Sequence, residues 1–203
     1  MPNSPTNAND YARLHLVCGE RGSGKTQVCA ALAQLLSLYG EDLAGLISPG
    51  VFVEGRKTAI EAYDLRAQQR RRLAIARAAQ DSADDTQAAT QEWTSRDWIF
   101  DEGVLAWGNG ILRASVPCGV LIVDELGPLE FIEGRGWVNG LNALDGRNYR
   151  MAVATIRPGL LERAAQRWPG AQVHELDSTD DVQLVWTALS RTAAEGLTRP
   201  TDG

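Results

Sequence analysis

The sequence has few cysteines, almost no lysine, and no apolar run long enough to cross a bilayer. Its three cysteines, Cys18, Cys29 and Cys118, are an odd number with wide, unrelated spacings and no CxxC or Cys/His cluster. That pattern excludes a disulfide framework or a zinc site and leaves the thiols as small, reduced core residues. Met1 to Asp10 is rich in Pro, Asn, Ser and Thr and lacks the basic start and apolar stretch of a signal peptide. With no later run able to span a membrane, the expectation is a cytoplasmic protein with no membrane contact. The net charge of −6 repels phosphate backbones, so nucleic acid is not an expected partner. Lys25 and Lys57 are the only lysines among the 20 basic residues. The two histidines, His15 and His174, have neither a third ligand nor a paired nucleophile nearby in sequence, and are assigned to packing or surface roles.

What is present is ordinary globular material, 44% apolar and 23% charged over 203 residues, enough for one domain with a sizeable core. The expected domain covers residues 12–195, between flexible tails at 1–11 and 196–203. Leu14 to Cys18 is a short β-compatible run that ends at a glycine cluster, and Lys25 to about Tyr39 has helical spacing stopped by Gly40. Ala44 to Ile47 reads as a second buried strand. Residues 51–77 alternate with turn signals at Glu54-Gly55 and Gln68-Gln69, which predicts antiparallel hairpins. Residues 78–97 are expected to form a polar insertion, because Ala, Asp, Thr and Gln recur there without an apolar period.

Asp101 to Ser115 has a mainly helical pattern weakened by Gly108 and Gly110. Gly119-Val-Leu-Ile-Val123 is a continuous apolar run, as expected of a central parallel strand buried on both faces. A strand over Arg150 to Ile156, a helix from Gly159 to Trp168, a strand around Val173 and a helix from Asp181 to Ala194 complete the chain. The expected class is therefore α/β, a three-layer P-loop NTPase fold whose central sheet is mostly parallel, with an antiparallel hairpin addition after the second strand.

Gly19-Glu20-Arg21-Gly22-Ser23-Gly24-Lys25-Thr26 satisfies G-x-x-x-x-G-K-[ST] between the first predicted strand and helix, the context the motif requires. Glycines allow the backbone to turn its N–H groups toward phosphate oxygens, and the helix N-terminus adds roughly half a positive charge. Lys25 is then expected at the β/γ-phosphates of a nucleoside triphosphate (ATP or GTP), and the Thr26 hydroxyl on Mg²⁺.

Val120-Leu-Ile-Val-Asp124-Glu125 ends an apolar strand in two carboxylates, at the edge where open α/β sheets place their ligands. Two acids also fit an ordinary exposed strand end, but a phosphate loop upstream favours a Walker B reading. Asp124 is then a metal-site acid, held directly or through water, and Glu125 is the candidate base that orients and deprotonates attacking water.

These residues resemble the small P-loop nucleoside-triphosphatases of the THEP type, in which a catalytic glutamate follows Walker B. The likeness covers most of residues 13–175. It rests on Gly19 to Thr26, Gly45-Leu-Ile-Ser-Pro49 followed by a hairpin, Trp98-Ile-Phe-Asp101, and above all Asp124-Glu-Leu-Gly-Pro-Leu-Glu130. The resemblance implies hydrolysis of NTP to NDP and phosphate with broad base tolerance, Asp124 at Mg²⁺, Glu125 as base, and Glu130 as a further site candidate. The strand after Walker B departs from the pattern: it ends in Ile156-Arg157, where similar proteins often carry His-Arg. Arg157 fits either a γ-phosphate contact or a surface charge before Pro158.

Arg66, Arg70, Arg71, Arg72 and Arg77 form a basic segment without interleaved aromatics, which reads as a solvated hairpin face. Trp98 and Trp107 fit packing better than stacking on a base. Two other functions compete with hydrolysis. One is a nucleotide-responsive adaptor similar to the guanine-nucleotide adaptor of molybdenum-cofactor synthesis, although the chain has no N-K-x-D guanine reader. The other is a small-molecule kinase, although no arginine-bearing lid is legible.

Overall fold

The computed structural model describes residues 13–80, 92–94, 97–178 and 181–197. The expected tail at 1–11 lies outside these, as do all but the first two residues of the tail at 196–203 and the parts of the insertion at 81–91 and 95–96. In chain order the elements are β1 (Leu14–Gly19), α1 (Lys25–Leu38), β2 (Leu43–Ile47), β3 (Gly50–Val53), β4 (Arg56–Asp64), β5 (Gln69–Ala76), α2 (Arg77–Gln80), β6 (Glu92–Thr94) and β7 (Trp98–Asp101). There follow α3 (Glu102–Ala114), β8 (Cys118–Val123), α4 (Pro128–Phe131), α5 (Val138–Gly146), β9 (Tyr149–Ile156), a 3-10 turn (Pro158–Leu160), α6 (Leu161–Arg167), β10 (Gln172–Leu176) and α7 (Asp181–Leu197).

All of these strands join one mixed sheet. Its parallel part runs β10-β1-β9-β8-β2, and the antiparallel strands β4, β5, β7 and β6 extend it beyond β2. β4 pairs with β2 through Tyr63 and Asp64, and with β3 through the stretch from Arg56 to Ile60. β2 and β3 thus lie along the same side of β4, separated at Ser48-Pro49. The Glu54-Gly55 turn has positive φ at both residues, 48° and 76°, the twist that suits a two-residue hairpin connection.

The helices lie on both faces of the parallel strands. On β8, Val120 and Ile122 pack with the α1 and α7 side chains Val28, Leu32 and Leu189. Leu121 and Val123 face the opposite core, which includes Leu112, Trp137, Leu141 and Leu144 from the α3–α5 side. This two-sided burial is why β8 is apolar without alternation. Gly45, in the middle of β2, adopts φ +112°, and a Cβ there would lie 1.9 Å from the Ile122 carbonyl oxygen; only glycine lets β2 approach β8 this closely.

Several elements differ from the sequence expectations. The helix expected from Gly159 begins instead as a 3-10 turn, a helical turn at Arg77–Gln80 runs from the end of the expected hairpin region into the polar stretch, and Glu92–Thr94 within that stretch forms an edge strand. α4 and α5 carried no clear helical signal. α5 has only nine residues, including Gly140 and Gly146, so its helicity comes from packing: the Gly140 site lies close against Val123. Among the described residues, no helix is long and apolar enough to cross a membrane.

The parallel pairing of β1 with β10 brings together the two histidines that are 159 positions apart. His15 Nδ1 lies 3.0 Å from His174 Nε2, and the rings stack with centroids 5.2 Å apart. Burial, and then the neighbouring His174, lower the His15 pKa from 6.5 to about 4; burial also lowers that of His174. Because the unfolded chain binds these protons more readily, the stability of the neutral pair is fully present above pH 6.5 and is lost as pH falls toward 4. Unfolding free energies from denaturant titrations across this window should therefore fall more steeply for the wild type than for His15→Gln, by an amount on the order of 2–3 kcal/mol at the acid end.

Candidate functional site

The site lies at the carboxyl ends of β1, β2, β8 and β9. β1 delivers the chain into the glycine loop, and Gly24, at φ 98°, opens α1 from a left-handed conformation. That turn aims the first N–H groups of α1 at the space above the loop. Lys25 Nζ folds back and donates to the carbonyls of Gly19 and Glu20, at 2.6 and 2.7 Å. Burial lowers the Lys25 pKa, while Glu125 and Asp124 oppose the shift.

Asp124 follows β8 and is fully buried. Its Oδ1 accepts the Thr155 hydroxyl at 2.7 Å and the Glu125 N–H at 3.0 Å; its Oδ2 accepts the Ser48 N–H at 3.0 Å. Thr155 Oγ1 in turn accepts the Glu125 N–H at 2.7 Å. These bonds hold Glu125 at φ 67°, in a left-handed conformation that a non-glycine residue rarely adopts. Burial and the Asp124 charge raise the Glu125 pKa, and Lys57, Arg157 and Lys25 pull it down. Lys57 Nζ is 4.0 Å from Glu125 Oε1.

A cleft of about 490 Å³ is lined by Arg21, Lys25, Thr26, Lys57, Glu125 and Arg157, among others. Behind it is an inner cavity of about 110 Å³, which shares Arg21, Lys57, Glu125 and Arg157 with the cleft and adds Ser48, Trp98, Glu130 and Trp137. Ser48 Oγ is buried and finds no hydrogen-bond partner among the described residues. Glu130 uses both carboxylate oxygens on backbone, accepting Gly127 N–H and Trp137 N–H at 2.7 Å each. Burial outweighs these bonds and raises its pKa to about 7. Glu130 thereby fastens the segment after β8 to the start of α5.

The structure brings Lys25, Thr26, Glu125 and Arg157 to one cleft, with Asp124 buried directly behind Glu125. Gly22 and Gly24 line the same cleft; Gly19, Glu20 and Ser23 line a recess on the other side of the loop. Trp98 is buried against the inner cavity, with Arg21 and Lys57 each 5.6 Å from its ring centroid. Trp107 carries Arg71 at 4.5 Å and lines neither space. Of the basic segment, Arg66 bonds Asp42 at 3.0 Å and the carbonyls of Ala114 and Ser115, while Arg70 pairs with Glu61 and covers Tyr63.

Sequence reasoning passed over Ser48, Thr155 and Lys57 as site residues. Thr155 had a usable signal: β9 pairs with β8 so that Ala154 faces Val123, which places the next residue beside Asp124. Lys57 had none beyond its rarity, because its approach depends on how the hairpin bends.

Sheet order, glycine loop and buried acid together define a P-loop nucleotide-binding protein. A model of a family described as NTPase matches residues 15–135, and the chain belongs to this family. It is 29% identical over 115 residues to the nucleoside-triphosphatase THEP1 of Methanopyrus kandleri, an alignment covering 57% of this chain and 58% of that protein. The chain thus spans less than two thirds of that relative's length. The solution structure of a human cancer-related nucleoside triphosphatase has the same fold, with a TM-score of 0.64 and 17% identity over 93% of this chain and 100% of that one.

Thr155→Val removes the hydroxyl that serves Asp124 and Glu125 together. It should destabilise the protein by about 1–3 kcal/mol, seen as a lower denaturation midpoint, whereas Thr155→Ser, which keeps the hydroxyl, should lose less.

Proposed function

We propose that this protein hydrolyses nucleoside triphosphates to diphosphate and phosphate in the cleft between the glycine loop and Glu125. The observation that carries this reading is the convergence of the α1 N-terminus, Lys25, Glu125 and Arg157 on one space of about 490 Å³. An adaptor needs the loop and lysine alone; a carboxylate held in a strained conformation beside them suits a positioned base.

In this reading the loop from Gly19 to Thr26 and the helix terminus bind the phosphates. Lys25 leaves the loop carbonyls for the β/γ-phosphates, and Arg157 meets the γ-phosphate at the mouth. Mg²⁺ fits the donor set: Thr26 and Asp124 offer hard oxygens, and Asp124 keeps acceptor capacity beyond its three hydrogen bonds. When bound there, the ion would offset charge on the β- and γ-phosphates. Glu125 orients a water molecule and takes its proton, and the inner cavity gives that water room behind the carboxylate. No N-K-x-D guanine reader occurs in the sequence, which supports broad tolerance of the base. The three cysteines are free and buried, which suits a reducing cytoplasm.

Phosphate release from ATP, GTP, CTP and UTP with Mg²⁺ tests the proposal. Release from several of these is expected, with Glu125→Gln lowering turnover about 10²- to 10⁴-fold while nucleotide binding persists. Tight binding without release by the wild type would instead support the adaptor. A phosphorylated acceptor formed in place of free phosphate would support a kinase.

A further inference from the structure

Lys57 lies on the antiparallel hairpin, outside every motif that defines the cleft, and yet its ammonium lines the cleft. We propose that Lys57 is a catalytic residue that bonds the γ-phosphate of the bound nucleotide from the hairpin side. The inference rests on the hydrolysis reading for its chemistry, although its test reads binding alone.

Three observations support it. First, the chain has 20 basic residues and only two lysines. Both line this cleft, whereas arginine serves every other basic position. A compact ammonium on a flexible stem differs from a planar guanidinium in size and reach.

Second, the hairpin is shaped around the Lys57 stem. Lys57 pairs with Phe52 just after a register shift between Val51 and Phe52. At Gly50 an added Cβ would lie 2.6 Å from Lys57 Cε and 3.1 Å from Cδ. The missing side chain at Gly50 leaves the path along which the stem runs. The ammonium emerges 5.6 Å from the centroid of Trp98, which fixes it from the other side.

Third, the ammonium has no close acceptor among the described residues. Lys25 makes two short bonds to carbonyls in the same cleft, but besides the Trp98 ring the one charged group that Lys57 Nζ approaches among the described residues is Glu125, at 4.0 Å. That is an ion pair too long for a hydrogen bond. Lys57 is only 25% exposed, so a largely covered cation holds three N–H donors over a space that suits an anion. A γ-phosphate oxygen supplies the acceptor. The shift of Lys57 toward phosphate frees Glu125 for water.

The step balances with these groups. The water oxygen bonds to the γ-phosphorus as the bond to the bridging β–γ oxygen breaks. The electron pair leaves with the diphosphate, and the water proton passes to Glu125. Lys57 offsets charge on the γ-oxygens throughout, as a cation supplied within the same chain.

The experiment compares Lys57→Met and Lys57→Arg with the wild type for three Mg²⁺-loaded probes: ADP, the non-hydrolysable β,γ-imido analogue of ATP, and ADP with aluminium fluoride. For Lys57→Met, ADP affinity should stay within about twofold, showing an intact site. The imido analogue should bind about tenfold more weakly and the fluoride complex about 10²-fold more weakly. Lys57→Arg keeps the charge and should recover at least part of the preference for triphosphate. Equal loss for all three probes would make Lys57 a structural residue, and unchanged affinities would place it away from the γ-phosphate; either overturns the proposal. Failure of the hydrolysis reading would appear separately, as absent phosphate release by the wild type.

Discussion

A single buried carboxylate organises the site. Asp124 receives hydrogen bonds from three places at the carboxyl edge of the sheet: Ser48 after β2, Thr155 in β9, and the backbone of Glu125. An ionised group with no solvent contact is costly unless its lone pairs are filled, so these partners are requirements of the fold as much as of the site. β2, β8 and β9 must end in register, and Glu125 must turn into a left-handed conformation to deliver its N–H. The direction in which the Glu125 side chain leaves the sheet is therefore a consequence of how Asp124 is satisfied. Replacing any one partner loosens the others, because they meet on the same two oxygens.

The parallel core was legible in the sequence because its signals are local. The apolar run of β8, the glycine loop before α1 and the Glu54-Gly55 turn each state their conformation within a few residues. α5 was not legible: a nine-residue segment with two glycines is helical only because Val123 and its neighbours pack against it. The same division runs through the site. Lys25, Thr26, Asp124 and Glu125 stand in recognisable patterns, and Arg157, which departs from its pattern, lines the same cleft as Lys25 and Glu125, whereas Thr155, Ser48 and Lys57 enter through strand pairing. The two histidines show the same limit, since only the β1–β10 register makes them neighbours. Glu130 was visible as part of a pattern, but both its oxygens are engaged with backbone.

The antiparallel strands give the parallel sheet a second wall. β4 and β7 bring Lys57 and Trp98 over the carboxyl edge, opposite Lys25, so the cleft is lined with cations from both sides. The inner cavity exists because these strands stand away from α4 and α5, and the aromatic side chains Trp98, Phe100 and Trp137 frame it. Lys57, on this hairpin, flanks Glu125, whose side chain remains 37% exposed.

The bonds that Lys25 makes within its own loop affect the energetics of phosphate binding. Its ammonium already holds two carbonyl oxygens of its own loop, so an arriving phosphate must exchange these bonds for new ones and gains only the difference. The loop carbonyls thus compete internally for the ammonium, and the net contribution of Lys25 to phosphate binding is smaller than its new contacts alone imply.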